Sequence, residues 1–299
     1  MSQPSPKGQE DTQALRLRFL GTAAAEAYPA PFCDCHNCRL ARRNGGRDLR
    51  RRTSVLVNDD LLLDFSPDVF AACQALGISL TALQVMCIGH GHEDHLAPEN
   101  LAFRTKVFVS ETELPELRVY GPRDALARIE AIAGEHMADM RLSLHPVSAG
   151  AVWSDGGYTL RALPAVHAPD HECLLYLVER AGRRFLYGTD TGPLSDQAWE
   201  MLAANPPDLA LLDSTMGMLD GTGHMGISQV KSVAARLREL CGATLPIVAF
   251  HFSHHTNPSY EELVRIYSQD DIRVAYDGML LDLDEALAPR HSGLCLRSG

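Results

Sequence analysis

The run Ile88-Gly-His-Gly-His-Glu-Asp-His95 constrains this chain more than any other stretch of it. His90, His92, Asp94 and His95 place three imidazoles and a carboxylate within six positions. Imidazole is the commonest metal ligand in proteins, and carboxylate oxygens suit the same divalent ions. In extended backbone alternate side chains share a face, so His90 and His92 project together while Asp94 and His95 can turn toward a neighbouring point. That geometry suits two metal ions sharing one short loop. A loop that holds no metal has no need of this spacing, and its position inside the chain rules out an affinity tag. The fold must therefore bring further ligands to this loop.

The apolar pattern indicates how. Period-two and continuous apolar runs predict strands over 15–20, 52–57, 61–64, 85–88 and 117–120 in the first half. A second set covers 158–164, 173–179, 184–187, 209–212, 247–250, 272–276 and 279–283. Helices are expected from Ser66, as N-cap with Pro67 in first position, to residue 76, and from Pro122 to 135. Others run over 195–204 with Ser195 as cap, 228–240 and 259–268, while 97–116 and 135–157 read as loops. Strands first and mixed strand–helix units after, twice over, fit two packed sheets with helices outside. One domain over 15–299 is expected, preceded by a polar, disordered tail at 1–14.

Bulk properties exclude some functions. A net charge of −11 argues against a broad grip on extended nucleic acid, although a metal centre can still attract a small anion. No apolar stretch reaches a membrane span, and residues 1–14 lack the apolar core of a signal peptide. Eight cysteines, three of them crowded together, suggest a reduced compartment, so the cytoplasm is the expected location. The one basic run, Arg42, Arg43, Arg47, Arg50, Arg51 and Arg52, reads as a solvated face that could attract phosphate.

Three residues just past apolar runs could complete the metal site: His167, Asp190 in Gly188-Thr-Asp190, and His251. Zinc, manganese and iron(II) all accept such a mixture. Cys33-Asp-Cys35-His-Asn-Cys38 gathers three thiols, and a closed zinc site needs a fourth ligand. His36 lies inside that loop, but His254 is the better candidate. Cys73, Cys87, Cys173, Cys241 and Cys295 read as core or incidental. His224, flanked by glycines in Thr222-Gly-His224-Met-Gly, could meet a ligand closely. Asp64 and Asp213 end apolar runs and would either orient a ligand histidine or simply terminate a strand. Asp277, before Gly278, reads as a plain hairpin turn. His171, His255 and Glu93 are near the site in sequence only.

Taken together, Gly89-His-Gly-His-Glu-Asp-His95, the later lone histidine, Gly-Thr-Asp and the C-terminal histidine resemble the metallo-β-lactamase superfamily, over nearly the whole chain. The resemblance implies an α/β, four-layer αββα sandwich with the site along one edge. It implies that His90, His92 and His167 hold one divalent ion, that Asp94, His95 and His251 hold another, and that Asp190 bridges them. Two such ions about 3.5–4 Å apart could share a nucleophile and the oxygens of a scissile ester. The cysteine cluster resembles the cyclic phosphodiesterase accessory branch of the carbon–phosphorus lyase pathway. On that resemblance Cys33, Cys35, Cys38 and His254 bind one structural zinc, His224 holds substrate phosphate or protonates the leaving oxygen, and His224 and Asp94 carry the catalysis. A second resemblance, to the B protein of pyrroloquinoline quinone biosynthesis, rests on the glycine-turn and cysteine entry, Ser66-Pro67-Asp68 and Thr256-Asn257-Pro258. That family's usual active-site motif is degraded, whereas the motif here is complete. The expected protein is a hydrolase of a small or cyclic phosphodiester, with lactone or thioester hydrolysis and a cofactor-biosynthesis accessory role as alternatives. Its expected partner is that small molecule, with no extended nucleic acid and no membrane, and the sequence leaves a homodimer open.

Overall fold

A computed structural model describes residues 15–109 and 111–287. The expected tail at 1–14 and Cys295 lie outside the described residues. In chain order the first half comprises β1 (Arg16–Gly21), α1 (His36–Asn44), β2 (Ser54–Val57), β3 (Leu61–Leu63) and α2 (Val69–Leu76). Then come β4 (Val85–Cys87), β5 (Leu117–Gly121), α3 (Arg123–Ala133), α4 (Met137–Met140) and β6 (Leu142–Pro146). The second half begins with β7 (Val152–Asp155), β8 (Tyr158–Pro164), β9 (Leu174–Arg180), β10 (Arg183–Gly188) and α5 (Asp196–Ala204). It continues with β11 (Leu209–Asp213), α6 (Ile227–Cys241), β12 (Ile247–Phe250) and α7 (Tyr260–Tyr267), and ends with β13 (Ile272–Val274), β14 (Leu280–Asp282) and α8 (Leu283–Leu287).

These strands form two seven-stranded sheets, ordered β14-β1-β2-β3-β4-β5-β6 and β13-β12-β11-β10-β9-β8-β7. Each sheet is mixed: β3 to β6 run parallel in one, and β10 to β13 in the other. The period of two explains the layering. Val55, Val57, Leu61, Leu63, Val85 and Cys87 enter the large inter-sheet core, while Leu56, Leu62 and Met86 face the opposite way into the cluster beneath α2 and α3. Strands covered on both faces are apolar throughout, and so they read as continuous runs. On the second sheet Ala198, Leu202, Val230, Val233, Ala234 and Leu237 of α5 and α6 close the outer face. This is the expected αββα sandwich.

Several local expectations need correction. Ser66 does not cap a helix: α2 starts at Val69 after Asp68, and the Ser66 hydroxyl donates to the Arg52 carbonyl instead. The stretch 135–157 is not a loop, since it contains α4, β6 and β7. β6 and β7 are edge strands in which every side chain but Leu142 is half-buried or exposed, which weakens the apolar alternation. Asp277 is not a hairpin turn, because β13 and β14 belong to different sheets. Its carboxylate instead accepts from the Thr22 hydroxyl at 2.8 Å and the Arg51 backbone N–H at 2.7 Å, which ties the crossover to the end of β1. The basic run is not one solvated face either. Arg50 is buried, with its guanidinium donating to Thr22 and the Ala275 carbonyl, and Arg52 is paired with Asp68 at 2.7 Å.

Candidate metal centre

Parallel strands end at one edge, and loops leaving those ends can converge in the crevice outside them. The C-terminal ends of β3, β4, β8, β10, β11 and β12 supply Asp64, the 90–95 loop, His167, Asp190, Asp213 and His251 respectively. Asp64, Asp190 and His251 each adopt a left-handed backbone (φ 59°, 48° and 61°), which is uncommon for residues with a Cβ. Such strain persists only where the surroundings over-determine it, and it clusters at functional sites.

The structure brings all seven expected active-site ligands together. Nitrogen atoms of His90, His92 and His167 form one group, and atoms of Asp94, His95, Asp190 and His251 a second. Asp190 lies between them. Its Oδ2 is 2.6 Å from His95 Nε2, 3.3 Å from His90 Nε2 and 4.0 Å from His167 Nε2, while Oδ1 is 2.6 Å from His251 Nε2. Asp94 Oδ2 approaches His95 Nε2 at 3.0 Å.

These close approaches are not all hydrogen bonds. His90 Nε2, His95 Nε2 and Asp190 Oδ1 are buried without a hydrogen-bond partner. Orphaned buried polar atoms cost about 1–3 kcal/mol each, more when charged. Divalent cations that take their lone pairs would remove that cost, and the mixed nitrogen and oxygen donor set fits them. The charges agree. Burial would raise the Asp190 carboxyl, but the positive charges of His251 and His95 beside it hold it well below the usual range. Burial, then His95, keeps His90 neutral, as a ligand must be.

Groups behind the histidines fix their rings. Asp64 Oδ2 lies 2.8 Å from His95 Nδ1 and accepts from the Tyr187 hydroxyl, while Oδ1 accepts from the Gly89 N–H. Asp64 is thus an orienting group rather than a mere strand terminator. The Thr53 hydroxyl is 2.8 Å from His251 Nδ1, and the Gly223 carbonyl is 3.1 Å from His167 Nδ1. Thr53 carries no local signal, because its partner is 198 residues away.

His224 stands at the margin of the array. Its Nδ1 is 3.0 Å from Asp213 Oδ2 and 3.5 Å from Asp190 Oδ1, and its ring packs edge-on against His167 at 4.6 Å. Asp213 is itself fixed by the Thr215 and Met225 backbone N–H groups. Burial pulls the His224 imidazole down, but the hydrogen bond and charge of Asp213, helped by Asp190 and Asp94, push it up to about 9. His171 is closer than its dismissal implied: its ring meets His92 at 5.4 Å and its Nδ1 lies 2.8 Å from Asp124. Glu93 faces outward to Arg128 at 3.7 Å.

The cysteine cluster forms a separate group. Ligand atoms of Cys33, Cys35, Cys38 and His254 lie within 4.8 Å of one another, and His36 is not among them. Cys35 caps α1, accepting the Cys38 backbone N–H, and its Sγ is 3.6 Å from His254 Nδ1. Three sulfurs and an imidazole are a donor set suited to closed tetrahedral zinc. His254 Nε2 is 3.4 Å from Glu26, which also accepts from the Ser253 hydroxyl at 2.5 Å. Glu26 was not singled out in the sequence, because nothing local marks it.

Residues 60–252 match the family described as the β-lactamase superfamily domain. The chain belongs to that superfamily. Its relatives include coenzyme PQQ synthesis protein B of Cupriavidus necator, 24% identical over 315 residues, covering 89% of this chain and 99% of the relative. Ribonuclease Z of Mycobacterium sp. (strain KMS) is 25% identical over 146 residues, or 44% of this chain. That match spans about half of the ribonuclease (51%). Among solved structures, a diphosphatase of the PhnP family superposes with TM-score 0.70 at 23% identity, covering 90% of this chain and 97% of the other. Zinc-bound PqqB of Methylobacterium extorquens gives 0.66 at 19%, covering 89% and 99%. At these identities the superpositions establish the fold. The superfamily is made up mostly of hydrolases, and its fold together with the His/Asp groups points to divalent metal binding. No helix among the described residues is long and apolar enough to cross a membrane.

Proposed function

We propose that this chain is a dinuclear metal-dependent phosphodiesterase acting on a small or cyclic phosphodiester. The observation that carries the reading is the gathering of six candidate ligands around Asp190, with the His224–Asp213 pair beside them. His90, His92 and His167 would hold one ion, and Asp94, His95 and His251 the other, with Asp190 shared. Divalent ions there would supply Lewis acidity toward the phosphoryl oxygens and the attacking water. Asp64, Thr53 and the Gly223 carbonyl keep the ligand rings in register. Asp213 accepts a hydrogen bond from the Nδ1–H of His224, so Nε2 is the atom from which a proton can pass to a leaving oxygen. The likeness to a diphosphatase and to ribonuclease Z supports phosphorus as the reacting centre. The chain's acidity supports a small substrate over a long polyanion.

A second reading, an accessory protein of cofactor biosynthesis, is favoured by the end-to-end match to PQQ synthesis protein B. Hydrolysis of bis(p-nitrophenyl) phosphate by protein loaded with manganese, zinc or iron(II) separates the two. Metal-dependent turnover that falls on the order of 10⁴-fold or more in Asp190→Ala, about 5 kcal/mol of barrier, is expected. No turnover with two ions bound would move the reading to lactones or thioesters. No turnover and no bound ions would favour the accessory role.

A further inference from the structure

A cavity of about 510 Å³ adjoins the cysteine cluster, lined among others by Glu26, Phe32, Cys33, Arg52, His254 and His255. That volume falls within the usual range of small-molecule pockets, about 300–1,000 Å³. Its position is fixed by chain continuity. Arg52 lines it, the adjoining Thr53 is bonded to His251, and His254 and His255 follow His251 on one loop. Ala23, at the end of β1, pairs with both Arg52 and Phe252, so the cavity and the metal centre share one wall.

Phe32 is fully exposed at the rim. A lone exposed aromatic is ordinary on a protein surface. This one sits on a segment that is held in place: the Arg42 guanidinium donates to the Ala30 carbonyl at 2.9 Å and the Cys33 carbonyl at 2.7 Å, on either side of Phe32. No other aromatic ring packs on it among the described residues, so its face is free. In the same cavity Glu26 is anchored through Oε1 to Ser253 and His254, which leaves Oε2 as an acceptor, and the exposed His255 ring lies on His254 at 3.8 Å. An exposed aromatic ring on a tethered backbone segment, lining the same mostly apolar cavity as an oriented carboxylate, suits a flat ring that carries a hydrogen-bond donor.

We propose that this cavity binds one ester arm of the substrate, a planar ring bearing a donor group, stacked on Phe32 and hydrogen-bonded to Glu26. The inference rests on the phosphodiesterase reading for what lies at the metal end, but it can be tested apart from it. 1-Naphthyl phosphate, followed by its own fluorescence, serves as the binding probe on metal-loaded protein. Phe32→Ala should weaken it about three- to tenfold, and Phe32→Trp should restore it. 5-Amino-1-naphthyl phosphate should bind the native protein about tenfold more tightly than the parent probe, through the charged acceptor. In turnover, Phe32→Ala should lower the preference for 1-naphthyl methyl phosphate over dimethyl phosphate through KM more than through kcat. Phe32-dependent binding without any diester hydrolysis would support the subsite while sinking the phosphodiesterase reading. Hydrolysis with binding and aryl preference both unmoved in Phe32→Ala would overturn the subsite and leave that reading intact.

Discussion

The two candidate metal clusters are built in opposite ways. The strand-end centre draws on the ends of β4, β8, β10 and β12, and its ligand rings are held from behind by Asp64, Thr53 and the Gly223 carbonyl. The cysteine cluster takes three ligands from one short segment at the start of α1 and a fourth from a loop 216 residues beyond Cys38, backed by Glu26. Rigid strands position groups for chemistry, whereas a loop site positions the loop. On the proposed reading the labour is divided: the first cluster acts on substrate, and the second locks the 30–38 segment, and with it the cavity wall.

That comparison can be broken first at His224. His224→Ala should cost about 10²–10⁴-fold in kcat for esters with poor leaving groups and much less for nitrophenyl esters, at unchanged metal content. Equal losses on both would make His224 a binding or folding residue. His254→Ala should remove close to one zinc per chain by elemental analysis and lower Tm on the order of 5 °C, while the strand-end ions stay. Unchanged metal content and melting would sink the zinc assignment. A finer test is Thr53→Ala, which should weaken metal affinity at the strand-end centre about 10–100-fold with little effect on melting. No change in affinity would show that His251 needs no support from behind.

A last test lies at the joint between Asp277 and the end of β1. Burial raises the Asp277 carboxyl from 3.8 to about 6, and the Arg51 N–H, the Thr22 hydroxyl and the charges of Arg50 and Arg51 offset this only in part. The folded chain therefore holds this proton more tightly than the unfolded one. The contribution is fully present below about pH 4 and is lost as pH rises through about 6. Asp277→Asn should gain on the native protein by on the order of 1–3 kcal/mol between pH 4 and 7, measured by urea unfolding at each pH. A constant gap across that range would mean that Asp277 titrates normally.

Much of this was legible before any coordinates. The 88–95 run, His167, Asp190 and His251 each follow an apolar strand, and both the strand and the polar residue after it leave local marks. The edge strands β6 and β7 were missed because only one side of them has a core to face. Ser66 resembled a cap because Ser-Pro opens many helices, but the Arg52 carbonyl and Ser54 competed for its hydroxyl.

The sequence by itself determined the buried strands, the layering and the identity of the metal-competent side chains, since those follow from apolar period and ligand chemistry. Tertiary structure alone decided that Thr53 and Glu26 stand behind histidines 198 and 228 residues away. It also decided that Asp277 is a buried anchor and that Phe32 overlooks a cavity. The reason is physical. Periodicity and ligand type are properties of neighbouring residues, whereas convergence at a sheet edge depends on where strands far apart in the chain come to an end.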